Sequence, residues 1–209
     1  MTIMSKIKKS KDIHAVLDIG NSKVSCLIGT IDKDNQQKAK VLGFGQHVSQ
    51  GMMGGKITNM KEIANSIARA VEGAETMYGF SINKVTCNVS GGRPITKIFR
   101  NEMKIESEQI SKIDLIKLQK GNLPKEIDNY KLLSSSVIKY YVDDYTPVDN
   151  PIGLYAQKLI LDMSYTYAQD SVLKNIFNAI DLCHLKVDKV IITPEASGIA
   201  SAIQDEKNN

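Results

Sequence analysis

Apolar residues at helical spacing mark the clearest element of the chain, a helix predicted over residues 60–78. Asn59 precedes this segment and Glu62 stands three residues later, a pairing typical of a capping box. Gly79 follows it and suits the left-handed position that ends many helices. The pattern predicts an amphipathic helix that packs on a sheet. Its apolar stripe consists of Ile63, Ile67, Ala70, Val71, Ala74 and Met77.

Segments rich in β-forming residues alternate with helical ones, which is typical of an α/β fold. A second amphipathic helix is predicted around residues 172–180. A third is predicted to begin at Pro194, a residue type that favours the first helical turn. Two apolar runs separated by a turn, at residues 15–17 and 24–28, predict a β-hairpin. Further strands are predicted near residues 38–48, 85–90 and 187–192.

Residues 91–164 differ from the segments on either side and predict a separate small unit with the element order β-α-β-β. Its first strand is expected near residues 95–105, and Ser107 is expected to cap its helix. The expected apolar side of that helix carries Ile110, Ile113 and Ile116. One face of a later strand is predicted from the alternation of Leu159, Leu161, Met163 and Tyr165.

The turn within the predicted hairpin carries the residue types of a phosphate clamp. Asp18 ends the first strand, where its carboxylate would face a Mg²⁺ ion through water. Gly20 can take a positive φ and has no Cβ, which would let backbone N–H groups converge on an anion. Ser22 and Lys23 add a hydroxyl and an ammonium group. The candidate nucleotide-binding residues are Asp18, Gly20, Asn21, Ser22 and Lys23.

Two common phosphate-binding motifs are excluded at this turn. A Walker loop requires Gly-Lys-Ser/Thr before a helix, whereas here a strand follows the turn. A Rossmann turn requires Gly-x-Gly-x-x-Gly at the start of a helix, and that motif is absent. A phosphate site at this turn would therefore be formed by a β-hairpin and not by the start of a helix.

Composition narrows the class of protein without deciding it. The 209 residues are 42% apolar, which is enough to build a core. The three cysteines lie far apart and predict neither a disulfide framework nor a zinc site. The sequence has no run of about 18 apolar residues and no apolar core of a signal peptide at its start. We therefore expect a globular protein in the cytoplasm.

The formal net charge of +4 is concentrated at the start of the sequence. Residues 1–12 contain four lysines and one aspartate, so they contribute +3 and leave +1 for the rest. We expect a disordered basic leader here, with weak attraction to an anionic membrane as the alternative. Nucleic-acid binding is not expected, because the remaining sequence has no basic stripe with interleaved aromatic residues.

Five segments carry a more specific signal through their order and spacing. They are the turn at residues 14–23; V-L-G-F-G-Q-H-V at 41–48 with G-M-M-G-G-K-I-T at 51–58; V-T-C-N-V-S-G-G at 85–92; P-V-D-N-P-I-G-L at 147–154; and V-D-K-V at 187–190 with P-E-A-S at 194–197. In this order they resemble FtsA, a family of actin-like bacterial cell-division proteins. The resemblance extends over nearly the whole chain from Ile13 onward.

The resemblance implies an actin-like (ribonuclease H-like) fold with a mixed sheet. Residues 13–90 and 165–205 would form subdomain 1A, the first half of a nucleotide cleft, and residues 91–164 the inserted SHS2-like subdomain 1C. ATP with Mg²⁺ would be the ligand. The implied partners are FtsZ and other division proteins, with self-association through the inserted subdomain. The implied location is the inner face of the cell membrane at the division site.

The resemblance also implies that the chain corresponds to the N-terminal half of a longer protein. The family's second phosphate loop, its adenosine loop and its C-terminal membrane-attaching helix have no counterpart among the matched segments. Loss of about three charge-assisted hydrogen bonds, worth roughly 1.5–3 kcal/mol each, would weaken phosphate binding on the order of a thousandfold. We therefore expect this chain alone to bind ATP poorly.

Hydrolysis is expected to be weak even in the intact protein. Thr193 stands before Pro194, where Hsp70-like relatives carry an acidic residue, and Glu195 follows one position later. No catalytic residue is assigned, and the chain alone is not expected to be an enzyme. Nucleotide would then act as a ligand that closes the two halves and favours polymerisation.

Three alternatives remain open from the sequence. A PilM-like type IV pilus assembly protein would share the fold and the inserted subdomain. A partial sugar or acetate kinase would carry a catalytic aspartate near the cleft. The third alternative is a partial domain whose hairpin binds no ligand, because Asp-x-Gly-Asn turns also close ordinary hairpins that bind nothing.

Overall fold

The computed structural model describes residues 13–31, 39–89, 91, 93–121, 127–143 and 146–192. Two compact units are present. Arg93–Asp170 forms one, and the described residues on either side of that segment form the other. The predicted leader over residues 1–12 and the helix predicted from Pro194 lie outside the described residues.

The described residues form eleven strands and three helices. In chain order these are β1 (Ile13–Ile19), β2 (Lys23–Ile31), β3 (Ala39–Val48), β4 (Met52–Met53), β5 (Lys56–Ile57), α1 (Met60–Tyr78), β6 (Lys84–Val89), β7 (Ile95–Lys104), α2 (Lys112–Lys120), β8 (Tyr130–Val142), β9 (Thr146–Val148), β10 (Lys158–Gln169), α3 (Asp170–Asp181) and β11 (Lys186–Ile192).

A five-stranded mixed sheet organises the first unit, in the order β11-β6-β1-β2-β3. β1 and β2 are antiparallel, as are β2 and β3, whereas β1 pairs with β6 and β6 with β11 in parallel. The hairpin and the other strands predicted for this sheet are confirmed. Because β1, β6 and β11 run in the same direction, their carboxyl ends share one edge of the sheet.

Helix α1 forms where the pattern predicts it, because both of its ends are specified locally. The side chain of Asn59 accepts hydrogen bonds from the backbone N–H groups of Lys61 and Glu62, and Gly79 ends the helix at φ 85°. Its apolar stripe is buried, apart from Met77 at the exposed end. On β3, Gly45 permits close packing, since a Cβ there would collide with the Ala70 carbonyl oxygen.

The second unit is a four-stranded sheet in the order β7-β10-β8-β9, with α2 packed against it. The predicted order β-α-β-β omitted the short strand β9. The predicted end of the inserted unit, between residues 164 and 165, falls inside the continuous strand β10. The predicted face of β10 is buried in a core that contains Ile110, Leu115, Leu118, Tyr140, Leu159, Leu161, Met163, Tyr165 and Tyr167.

The start and the buried side of α2 differ from the prediction. Ser111 caps the helix, because its hydroxyl accepts from the backbone of Asp114 and the Asp114 carboxylate accepts from the backbone of Ser111. Ser107 instead donates its hydroxyl to the carbonyl of Gln109. The buried side of the helix also differs from the predicted one. Leu115 and Leu118 are buried on α2, whereas Ile113 and Ile116 are 63% and 50% exposed and Ile110 is buried before the helix begins.

Candidate nucleotide-phosphate site at the turn between β1 and β2

The turn after β1 is a tight hairpin with a two-residue tip. The strands stay paired up to Ile19 and Val24, and the backbone N–H of Gly20 donates to the Lys23 carbonyl oxygen over 3.0 Å. Asn21 and Ser22 form the tip. A second bond, from the Ser49 N–H to the Ser22 carbonyl over 3.0 Å, ties the tip to the end of β3. The turn is therefore held on the sheet by main-chain bonds.

Gly20 does not use the conformation proposed for it. The φ of Gly20 is not positive, so the turn does not use the left-handed conformation that glycine permits. Its N–H is also committed to Lys23, which removes it from the groups that face an anion. At this position the backbone of Gly20 lies close to that of Lys23. A Cβ on Gly20 would lie 3.1 Å from the Lys23 carbonyl oxygen. Glycine is suited to this turn for steric reasons.

The polar side chains of the turn are available to a ligand. Asp18, Asn21, Ser22 and Lys23 are all exposed, and Gly20 is half-buried. Asp18 lies at the carboxyl end of β1, on the sheet edge where the parallel strands end. Ligands of open α/β sheets commonly bind outside the carboxyl ends of the strands, at the point where strand order reverses. In this sheet β1 has the parallel strand β6 on one side and the antiparallel strand β2 on the other, so Asp18 lies at the edge formed by the carboxyl ends of β1, β6 and β11.

Asn88 on β6 holds Asp18 from the neighbouring strand. Its side-chain NH₂ donates to the Asp18 carboxylate oxygen Oδ1, and its own Oδ1 accepts from the backbone N–H of Ile19 over 2.9 Å. Asn88 was not among the predicted site residues. The available signal was a polar residue near the end of a strand with Val85 and Cys87 on its buried side.

A second hairpin, formed by β4 and β5, meets the tip of the turn. The backbone N–H of Gly55 donates to the side-chain oxygen of Asn21 over 2.8 Å. Gly54 and Gly55 both have positive φ, and a Cβ on Gly55 would collide with the backbone of Gly91. Asn21 is exposed, but its side chain also joins two loops at the same edge of the sheet.

The chemistry of these residues fits a magnesium–phosphate group only in part. Asp18 supplies one carboxylate and Lys23 one ammonium group, and the Oγ of Ser49 is buried without a hydrogen-bond partner below the tip. Among the described residues, no three His, Cys, Asp or Glu side chains come together to hold a metal ion by themselves. The single carboxylate of Asp18 is compatible with Mg²⁺, which usually keeps several waters and takes further ligands from the phosphates of its substrate.

Other features of the described residues do not point to a different site. A cavity of about 620 Å³ lies between α3 and the start of β11 and includes Phe177, Asp181 and Lys186, but none of the five candidate residues lines it. The cavity follows the edge strand β11 from Lys186 to Val190, and β6 lies between that strand and β1. No helix in the described part of the chain has the length and apolar character needed to span a membrane.

Comparison with known proteins identifies the relatives of this chain. A scan of family models finds no match. The cell division protein FtsA of Agrobacterium fabrum is 28% identical over 207 residues, covering 95% of this chain and 47% of that protein. FtsA of Neisseria meningitidis is 31% identical over 93% of this chain and 47% of that protein. The chain is a relative of FtsA.

The extent of the match to FtsA is the same across distant species. FtsA of Escherichia coli is 25% identical over 192 residues, covering 91% of this chain and 45% of that protein. The chain thus spans about half the length of the curated FtsA proteins it matches. The resemblance inferred from the five segments is confirmed.

Among solved structures, the PilM-PilN type IV pilus biogenesis complex shares the fold. Its matched chain aligns with a TM-score of 0.54 at 10% identity, covering 87% of this chain and 47% of that one. An identity this low carries information on the fold alone. The predicted fold class is confirmed: an actin-like α/β fold with a mixed sheet.

Proposed function

We propose that the chain is the N-terminal half of an FtsA-type cell-division protein, an actin-like scaffold that binds ATP, links FtsZ to the membrane and recruits other division proteins. The observation that supports this best is the match of 91–95% of the chain to FtsA proteins from distant bacteria. The proposed location is the inner face of the cell membrane at the division site. Residues Arg93–Asp170 are proposed as the SHS2-like surface for self-association.

Each residue of the turn has a proposed part in binding the polyphosphate of ATP. Lys23 neutralises phosphate charge, and Ser22 and Asn21 offer a hydroxyl and an amide at the tip. Asp18 orients water bound to Mg²⁺, and Gly20 keeps the turn tight enough for these groups to stay together. When bound, Mg²⁺ would neutralise charge between phosphate oxygens. No residue among those described is assigned to hydrolysis, and nucleotide serves as a conformational ligand.

The ATP site can be tested by removing one charge at the turn. In the complete gene product, Lys23→Gln should weaken ATP binding by about tenfold, because one charge-assisted hydrogen bond is worth roughly 1.5–3 kcal/mol. Lys84→Gln is the matched control, since Lys84 is also an exposed lysine of this sheet but lies at its other end. Titration calorimetry with Mg-ATP would measure both. Equal affinities of the two variants would contradict the proposed site.

The cellular role has a separate test. Depletion of the protein in its own organism should block septation and produce filamentous cells, and a fluorescent fusion should concentrate at the division site. Normal division combined with loss of surface pili would contradict the division role and favour the pilus alternative. Microscopy with an unrelated depleted gene as control distinguishes these outcomes.

A further inference from the structure

The side chain of Asn88 makes two different hydrogen bonds to consecutive residues of β1. Its oxygen accepts from the backbone N–H of Ile19 over 2.9 Å, and its NH₂ donates to Oδ1 of Asp18. An amide carries its acceptor oxygen and its NH₂ donor on two separate atoms, so it can bond two neighbouring groups at once. Both halves of the amide are therefore used on the neighbouring strand.

The position of Asn88 coincides with the end of the pairing between β1 and β6. The registered pairs of these strands are Val16 with Thr86 and Leu17 with Cys87. One step further, the Asn88 side chain provides the acceptor for Ile19. The side chain thus spans the two strands at the carboxyl edge, where the candidate phosphate turn begins.

The two hydrogen bonds differ in what they contribute to stability and to side-chain orientation. The bond to Ile19 satisfies a buried backbone donor, and an oxygen acceptor alone would be enough for it. The bond to Asp18 involves an exposed carboxylate that water would otherwise solvate, so it adds little to stability. Its main effect is on orientation, because it restricts the rotation of the Asp18 side chain and engages one of its two oxygens.

We propose that Asn88 is a positioning residue for the metal of the nucleotide site. By holding Oδ1 of Asp18, it leaves Oδ2 as the oxygen available to the hydration shell of a phosphate-bound divalent cation. Asn88 then determines how strongly the metal enhances nucleotide binding. This inference rests on the proposed function, since it presupposes that Asp18 faces magnesium and phosphate.

The experiment compares ATP affinity with and without metal. For the complete gene product, the dissociation constant of ATP is measured in excess EDTA and in excess Mg²⁺, and the ratio of the two values is the metal enhancement. Asn88→Leu keeps the approximate shape of the side chain but loses both hydrogen bonds. Groups that hydrogen-bond to a direct metal ligand typically contribute about 10–100-fold. Because Asp18 reaches the metal through water, we expect the lower end of that range, a fall in the enhancement of about tenfold, while affinity in EDTA is retained.

Three further variants make the result specific. Asn88→Thr suits a β-strand but is too short to reach both partners, and it should lose the same enhancement even if the leucine variant folds poorly. Asp18→Asn should abolish the enhancement, and Asn88→Leu added to it should cause no further change. Asn83→Leu is the control, because Asn83 is exposed and lies just before the start of β6, and its enhancement should equal that of the unmodified protein.

The outcomes separate the two hypotheses. If the Asn88 variants weaken binding equally in EDTA and in Mg²⁺, the ratio is unchanged and the positioning role is refuted, while the ATP site stands. If the unmodified protein binds no ATP under either condition, the proposed function fails and the role of Asn88 fails with it. A tenfold loss confined to the Mg²⁺ measurement, and absent in the Asp18→Asn background, supports the proposal.

Discussion

At the scale of single residues, the decisive contacts join positions far apart in the chain. Asn88 and Asp18 are 70 residues apart, and Arg100 and Asp162 are 62 apart. In each pair a carboxylate is oriented by a neighbour that nothing in the local pattern specifies. The two pairs differ in burial, which determines how much each hydrogen bond contributes to stability. Asp18 is exposed, whereas Asp162 is 9% exposed.

The pair of Arg100 and Asp162 should stabilise the second unit. Two charge-assisted hydrogen bonds of 2.7 and 2.6 Å join them. Arg100→Leu would leave a mostly buried carboxylate without its charged partner, with Tyr141 as a remaining hydrogen-bond donor, and should lower the free energy of unfolding by about 1–3 kcal/mol at pH 7. Arg69→Leu is the control, because the ion pair of Arg69 with Glu72 is exposed, and it should cost less than about 1 kcal/mol. Urea denaturation would show the difference.

The same pair has a predictable dependence on pH. Hydrogen bonding from Arg100 lowers the pKa of Asp162 below its ordinary value. A depressed pKa in the folded state gives stability that is present above the unfolded pKa near 4 and is lost as pH falls through the folded value. The destabilisation by Arg100→Leu should therefore shrink when denaturation is repeated at low pH. A constant difference across that range would contradict this account.

The cysteines should differ in reactivity. Burial raises the pKa of Cys26 to about 11 and that of Cys87 to about 11. At pH 8 only about one in a thousand of these thiols is ionised, so a thiol reagent should label them slowly in the folded protein. Cys183 is only half-buried and should react first. Mass spectrometry after timed labelling would measure the order, and equal rates at all three positions would refute it.

At the scale of elements, α1 and α2 differ in how well the adjoining residues predict where each helix begins and ends. The ends of α1 depend on Asn59 and Gly79, which adjoin it, and its boundaries were predicted correctly. For α2, Ser107 was predicted as the cap, but the reciprocal bonds between Ser111 and Asp114 start the helix later. Its buried side consists of Leu115 and Leu118 instead of the predicted isoleucines.

The hairpin of β4 and β5 offers a test with a matched pair of glycines. Gly54 and Gly55 both have positive φ, a conformation that asparagine tolerates better than other side chains. Around Gly54 there is open space, whereas a Cβ on Gly55 would collide with Gly91. Gly55→Asn should therefore lower the free energy of unfolding by about 2 kcal/mol more than Gly54→Asn. Chemical denaturation would measure both, and equal effects would show that the contact with Gly91 relaxes freely.

At the scale of the whole molecule, the chain forms two units with separate cores. The second unit, Arg93–Asp170, has a continuous chain and its own cluster of buried apolar side chains. The first is assembled from segments on both sides of it, and its central sheet needs β11 from the later one. The second unit should therefore be the more independent of the two.

Excision would test that independence. A polypeptide of residues Arg93–Asp170 should unfold cooperatively in urea, because the core around Leu161 and Tyr165 lies entirely within it. Leu161→Asp in the same polypeptide is the control and should abolish the transition, since Leu161 is fully buried. A gradual, non-cooperative loss of circular dichroism in the unmodified polypeptide would contradict the prediction.

The sequence by itself determined the features that depend on neighbouring residues. These are the α/β class, the strands of the five-stranded sheet, the hairpin around Asp18 to Lys23 and the limits of α1. Hydrophobic period, turn residues and helix caps all act within a few positions of the chain. The order of five short segments also pointed to FtsA. Each of these signals can be read along one stretch of chain.

The tertiary structure alone decided the features that depend on residues brought together from a distance. It showed that the backbone of Gly20 lies close to the Lys23 carbonyl oxygen and that the side chain of Asn21 bonds to the hairpin of β4 and β5. It also showed that the side chain of Asn88 holds Asp18. It also set which side of α2 is buried. The physical reason is common to all of them: hydrogen bonding and packing act over a few ångströms in space, whatever the separation along the chain.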